Sequence, residues 1–110
     1  MITVVELPEF IRRSEKLLNR AERMRLISHL AARPASGVIL QGTGGIRKLR
    51  WKRAGSGKSG GVRVIYYYYN ERIPLFLLTV FSKSEKVNLS KRERNELAKL
   101  TRVLVESYGR

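Results

Sequence analysis

The chain contains no cysteine and no aspartate, and its single histidine is His29. Without cysteine, neither a disulfide framework nor thiolate metal ligation is open to it. With carboxylates limited to nine glutamates, most on segments expected to be helical, metal-dependent hydrolysis has few ligands to draw on. A two-histidine ribonuclease mechanism is impossible within one chain, and His29, beside Leu30 in a helical stretch, reads as a surface or helix-packing residue. No apolar run is long enough to cross a bilayer, and Met1 to Leu7 lacks the cationic start and long apolar stretch of a signal peptide. The expectation is a cytoplasmic protein that needs no metal and no cofactor and has no membrane partner.

What the chain has in excess is positive charge. It carries 23 lysines and arginines against 9 acidic residues, a formal net charge of +14. So much like charge on 110 residues repels itself, and an anionic partner relieves that. Nucleic acid is the first candidate, through its dense phosphates and counterion release; an acidic protein is a compatible second. A hydrophobic content of 43% supports a packed core rather than a disordered basic tail, and the length fits one domain over residues 1–110.

Ile2 to Leu7 reads as a strand closed by Pro8. Phe10, Leu17, Ala21, Met24, Ile27 and Ala31 then recur at helical spacing. Asn19 and Glu22 form a capping box inside this stretch, which divides it into two helices, roughly 9–18 and 20–33, a helical hairpin ended by Pro34. Residues 37–45 read as a loop. From Ile46 to Trp51 the period changes to two, so that Lys48 and Arg50 share one face and Leu49 and Trp51 the other. A Gly/Ser/Lys-rich stretch from Lys52 to Gly61 reads as a mobile cationic hairpin tip. Val62 to Tyr69 and Leu75 to Phe81, joined through Asn70-Glu71-Arg72, are almost continuously apolar and belong in the middle of a sheet. Ser90 and Glu93 make a second capping box, opening a helix with Leu97, Leu100, Leu104 and Tyr108 on its apolar face. The expected fold is α+β in the order β-α-α-β-β-β-α: an antiparallel sheet core with an N-terminal helical hairpin and a C-terminal helix packed on it.

Gly57-Lys58-Ser59 mimics the end of a phosphate-binding P-loop, but Lys52 stands where the leading glycine belongs and the segment runs into a strand. Asn88-Leu89-Ser90 matches a glycosylation sequon and reads more simply as a turn and helix cap. Chemistry therefore falls to lysine and arginine. RNA suits them because its 2′-hydroxyl is a built-in nucleophile: the protein need only align it, stabilise phosphoryl charge and handle protons. Arginine grips phosphate with a planar, permanently charged fork, and a lysine crowded by cations titrates low enough to exchange a proton. Arg63 begins the central strand, Lys48 and Arg50 project from its neighbour, and Ser82-Lys83 ends the next. On a strand face that is merely solvated, Lys48 and Arg50 would need no function; Arg63, leading into apolar and aromatic residues, is harder to dismiss. Alternation sends Tyr66 and Tyr68 one way and Tyr67 and Tyr69 the other; these rings and Trp51 divide between core packing and base stacking.

The segments Gln41-Gly42-Thr43-Gly44-Gly45-Ile46-Arg47-Lys48-Leu49-Arg50, Gly60-Gly61-Val62-Arg63-Val64-Ile65-Tyr66-Tyr67 and Leu77-Leu78-Thr79-Val80-Phe81-Ser82-Lys83-Ser84-Glu85 resemble the RelE/ParE toxin superfamily, and in detail its HigB-like branch. With the order of elements, the resemblance covers essentially the whole chain. It implies a RelE-like fold and a metal-independent endoribonuclease, an mRNA interferase of a type II toxin–antitoxin system, that enters the 70S ribosome and cleaves translated mRNA. It also implies a cognate antitoxin, HigA-like and of the helix-turn-helix kind, with operator DNA contacted only through that antitoxin. Carried over by position, Arg63 resembles the family's transition-state arginine, Lys48 and Arg50 its phosphate-orienting or proton-transferring residues, and Lys83 the basic residue after the last strand. Arg47, Lys52, Arg53, Lys58 and Trp51 are the expected RNA- or ribosome-contacting set. One departure stands out: where RelE-type relatives often have a tyrosine, this chain has Leu89. The alternatives are a non-nucleolytic, ParE-like toxin acting on a protein such as DNA gyrase, and a plain basic RNA-binding domain.

Overall fold

A computed structural model of the chain describes residues 1–53 and 61–109. Strand β1 (Val4–Glu6) leads into helices α1 (Pro8–Leu17) and α2 (Arg20–Ala32), followed by β2 (Val38–Ile39), β3 (Ile46–Lys52), β4 (Gly61–Tyr67), β5 (Leu75–Ser82) and α3 (Lys91–Tyr108). The α+β order is the expected one, with a two-residue strand, β2, added where a loop was expected. Most of the stretch expected to be a cationic hairpin tip, Lys58 included, lies outside the described residues.

The sheet runs β1-β5-β4-β3-β2. Strands β3, β4 and β5 form the antiparallel meander, and β1 joins its far edge parallel to β5. Alternation along the strands divides the core into two clusters. On one face Phe10, Leu18, Leu26 and Leu30 pack against Val62, Val64, Tyr66, Leu75, Leu77 and Val80, with Leu49 and Trp51 at the margin. On the other, Leu97, Leu104 and Val105 of α3 cover a cluster that includes Ile46, Ile65, Tyr67, Phe76 and Leu78. Both faces of β5 and of β4 beyond Arg63 are thereby filled, which is why these strands carry so few polar residues.

Two helical faces differ from their expected phase. In α2 the buried residues are Glu22, Leu26 and Leu30, while Met24 and Ala21 face solvent. The Asn19 cap, whose side chain accepts from the Glu22 amide at 2.8 Å, ends one helix and begins another, so one apolar period does not run through both. In α3 the inner face holds Leu97, Thr101, Leu104 and Val105, and Leu100 lies outside it. Thr101 turns its hydroxyl onto the Ala98 carbonyl, which lets a polar residue occupy the inner face. Both capping boxes are complete.

A register shift in the β4–β5 ladder decides which way the end of β5 faces. Tyr66 pairs with Leu77 and Ile65 with Thr79, which leaves Leu78 as an extra residue. Strict alternation would set Phe81 with Leu75 and Leu77; after the bulge it joins the α3 face instead.

Tyr66 is fully buried. Its hydroxyl accepts from the Gly37 amide at 2.7 Å and donates to the Pro34 carbonyl at 2.8 Å, tying the α2–β2 connection to the central strand. Of the two readings of this ring, core packing holds. Tyr66→Phe leaves the Gly37 amide buried without its acceptor and is expected to cost about 1–3 kcal/mol. Urea denaturation checks this, with Tyr69→Phe, at an exposed ring, expected to leave the midpoint unchanged.

Candidate active site

The α3 face of the meander reads as rows running across the strands. Ile46, Tyr67 and Phe76 form an apolar row, Lys48, Ile65 and Thr79 the next, and Arg50, Arg63 and Phe81 the third. The first row lies in the core under α3, with the Tyr108 ring edge-on to Phe76 at 5.1 Å. The third row is cationic. Arg50 and Arg63 are direct cross-strand partners, and alternation puts Lys48 beside them on the same side. The three basic residues expected from the sequence on β3 and β4 are thus brought together.

None of these three has a carboxylate within 4.0 Å among the described residues. Among the described residues the Arg63 guanidinium donates to the carbonyl of Val62, at 3.4 Å. Burial lowers the Lys48 pKa below the ordinary lysine value of 10.5, and the charges of Arg50, Arg63 and Arg94 lower it further. Its Nζ donates to Asn88 Oδ1 at 2.6 Å. The sequence reading takes Asn88 only as a turn residue and does not single out Arg94. A local signal existed for Arg94: α3 opens with Lys91, Arg92 and Arg94, although the positive end of the helix dipole disfavours cations in that turn.

Asn88 is held in place by its neighbours. Leu89 is buried in the α3-side core. Arg13 of α1 donates to the Val80 carbonyl at 2.6 Å and pairs with Glu85, clamping the start of the segment. Lys86 lies 5.0 Å above the Phe81 ring and pairs with Glu93, itself part of the α3 capping box.

The other expected residues are dispersed. Lys83 is exposed just past β5, its amide bonded to the Gly61 carbonyl at 3.2 Å, and it is not among the charges that depress Lys48. Lys52 ends β3 on the Lys48 side. Arg47 lies on the opposite face, donating to the Gly37 carbonyl at 2.8 Å and the Ala35 carbonyl at 3.2 Å. Trp51 packs on that same face, its ring 5.2 Å from that of His29. Arg53 donates to the Leu17 carbonyl at the end of α1, at 3.2 Å. Among the described residues no three His, Cys, Asp or Glu side chains come together as a metal site would require, and no helix is long and apolar enough to cross a membrane.

Two expectations follow from this cluster. Arg50 and Arg63 repel each other across the ladder, so Arg63→Gln should stabilise the fold, by about 0.2–1 kcal/mol. A rise of a few degrees in the thermal midpoint checks it, and a fall would mean that Arg63 holds the strand together. Lys48 should titrate below the ordinary lysine range, as read by NMR of labelled lysine side chains. Its midpoint should rise in Arg63→Gln, because a like charge that disfavours the ammonium form has gone.

Comparison with known proteins supplies an independent view. A family model described as the RelE toxin of the RelE/RelB toxin–antitoxin system matches residues 15–108. The fold is similar to that of a mutant of the E. coli toxin RelE solved in the free state. The TM-score is 0.57 at 17% identity, over 91% of this chain and 96% of that one.

Proposed function

This chain belongs to the RelE toxin family, and from that premise we propose that it is a metal-independent endoribonuclease that cleaves translated mRNA in the ribosome. The observation that carries this reading is the cluster of Lys48, Arg50 and Arg63: cations crowded on one side of the sheet with no carboxylate partner among the described residues. A fold that tolerates unpaired like charges there is matched to an anion, and a phosphodiester supplies it.

The roles follow from the chemistry of each group. Neutral Lys48 accepts the proton of the 2′-hydroxyl as the 2′-oxygen attacks phosphorus. Its lowered pKa makes the neutral form more accessible than in an ordinary lysine, and its hydrogen bond to Asn88 aims the nitrogen. Arg63, with Arg50 opposite, neutralises the charge that builds on the non-bridging oxygens. The bond to the 5′-oxygen then breaks, and the leaving oxygen takes up a proton from Lys83 or from water. The products are a 2′,3′-cyclic phosphate and a 5′-hydroxyl end, so the step needs neither cofactor nor metal. Lys52 and Lys58 serve affinity for ribosomal RNA, with a strong dependence on salt. Residues 1–110 act as one domain of the HigB-like branch in the cytoplasm, and a HigA-like helix-turn-helix antitoxin neutralises it.

Inducible expression in bacteria with transcriptome-wide mapping of mRNA 5′ ends tests the reading. The wild-type chain is expected to arrest growth and create new 5′ ends inside translated frames, and Arg63→Ala to lose both. On programmed ribosomes, Arg63→Ala should slow cleavage by roughly 10²–10³-fold, the usual loss when a donor to the developing charge is removed. Arrest with intact messages would overturn the nuclease mechanism and point to a protein target such as DNA gyrase. Lys48→Arg separates proton transfer from charge: it keeps the cation but cannot act as base at neutral pH. Cleavage should fall while ribosome binding persists; undiminished cleavage would remove Lys48 from the base role.

A further inference from the structure

Arg94 lies in the first turn of α3, where a cation opposes the helix dipole. It stands three and seven residues before Leu97 and Thr101, on the helix face turned to the sheet. An apolar residue there would extend the packed stripe of α3; an arginine instead continues that stripe toward the cationic rows. Its neighbour in the same turn differs in exposure and in partner. The Arg92 side chain is 89% exposed and binds Glu96 at 3.2 Å, whereas Arg94 is half-buried and has no carboxylate within 4.0 Å among the described residues. The Arg94 charge is felt at Lys48, together with those of Arg50 and Arg63. Arg50, Arg63 and Arg94, from three elements, therefore lie within electrostatic reach of Lys48.

We propose that Arg94 is a further phosphate contact of the RNA site, gripping the substrate backbone from the α3 side opposite Arg50 and Arg63. The inference rests on the ribonuclease reading above. A guanidinium at this position can bind a phosphate with two parallel hydrogen bonds, so one strand of RNA is held between helix and sheet. The start of α3 thereby becomes part of the site as well as a cover for the core.

Arg94→Gln and Arg92→Gln remove the same charge from the same helical turn, and only one of them removes it from the site. Single-turnover cleavage on ribosomes programmed with a short mRNA, with thermal midpoints taken for each variant, tells them apart. Arg94→Gln is expected to lose roughly 10- to 100-fold in rate, as for a charge-assisted hydrogen bond, while Arg92→Gln stays within about twofold. Arg94→Lys keeps the charge and the fold without the planar fork, and is expected to fall between Arg94→Gln and the wild type. Equal losses in Arg92→Gln and Arg94→Gln would overturn the proposal in favour of general electrostatics. Cleavage by Arg94→Gln at the wild-type rate, with or without weaker inhibition by antitoxin, would overturn it too. Absence of cleavage by the wild-type chain would instead defeat the ribonuclease reading itself, and this inference with it.

Discussion

Arg50 and Arg63 sit directly across from each other in the β3–β4 ladder, and Lys48 flanks them with its pKa held down. A strand pair carrying that repulsion contributes less stability than its length suggests, so the deficit has to be met by other elements. The remaining residues of β4 and β5 meet it. Val62, Val64, Ile65, Tyr66 and Tyr67 are buried, and the strand that follows is buried from Leu75 to Phe81. Burial on both faces is available because α1 and α2 cover one side and α3 part of the other. On the α3 side of β3 and β4 the cover ends where the cations lie, so the exposed site and the buried core are two ends of one sheet face.

The segment between β5 and α3 turns this bare cationic patch into a shaped one. It is short of regular structure but held at several points: Arg13 grips Val80 and Glu85, Lys86 binds Glu93 over the Phe81 ring, and Leu89 is buried. Individually, exposed ion pairs stabilise little. Together they fix the path of a chain that would otherwise be free to move, and Asn88 rides on that path to reach Lys48. The bulge at Leu78 serves the same end, since it turns Phe81 onto the site face, where Lys86 can cover it.

Much of this was legible in the sequence because the relevant signals are local. Period-two alternation put Lys48 and Arg50 on one face, apolar continuity placed β4 and β5 centrally, and both capping boxes marked true helix starts. Where signals were not local the reading slipped. A single apolar period drawn from Phe10 to Ala31 ran through the Asn19 cap and exchanged Met24 for Leu26. Arg47 and Trp51 looked available to RNA as members of a basic strand, but pleating turns both onto the α1–α2 side, Arg47 onto backbone carbonyls and Trp51 against the core. Asn88 was read as a turn residue, because its partner is a lysine on another strand.

By itself, the sequence determined the sign of the chain's charge, the order of elements and the face shared by the β3 cations. Each of these depends on composition or on spacings of a few residues, which the pleat and the helical turn convert directly into geometry. The tertiary structure alone decided that Arg63 stands opposite Arg50, that a bulge turns Phe81, and that Asn88 and Arg94 converge on Lys48. Those arrangements depend on register and packing between segments far apart in the chain. Such contacts are selected by the burial of a whole core, and no short window of residues contains that information.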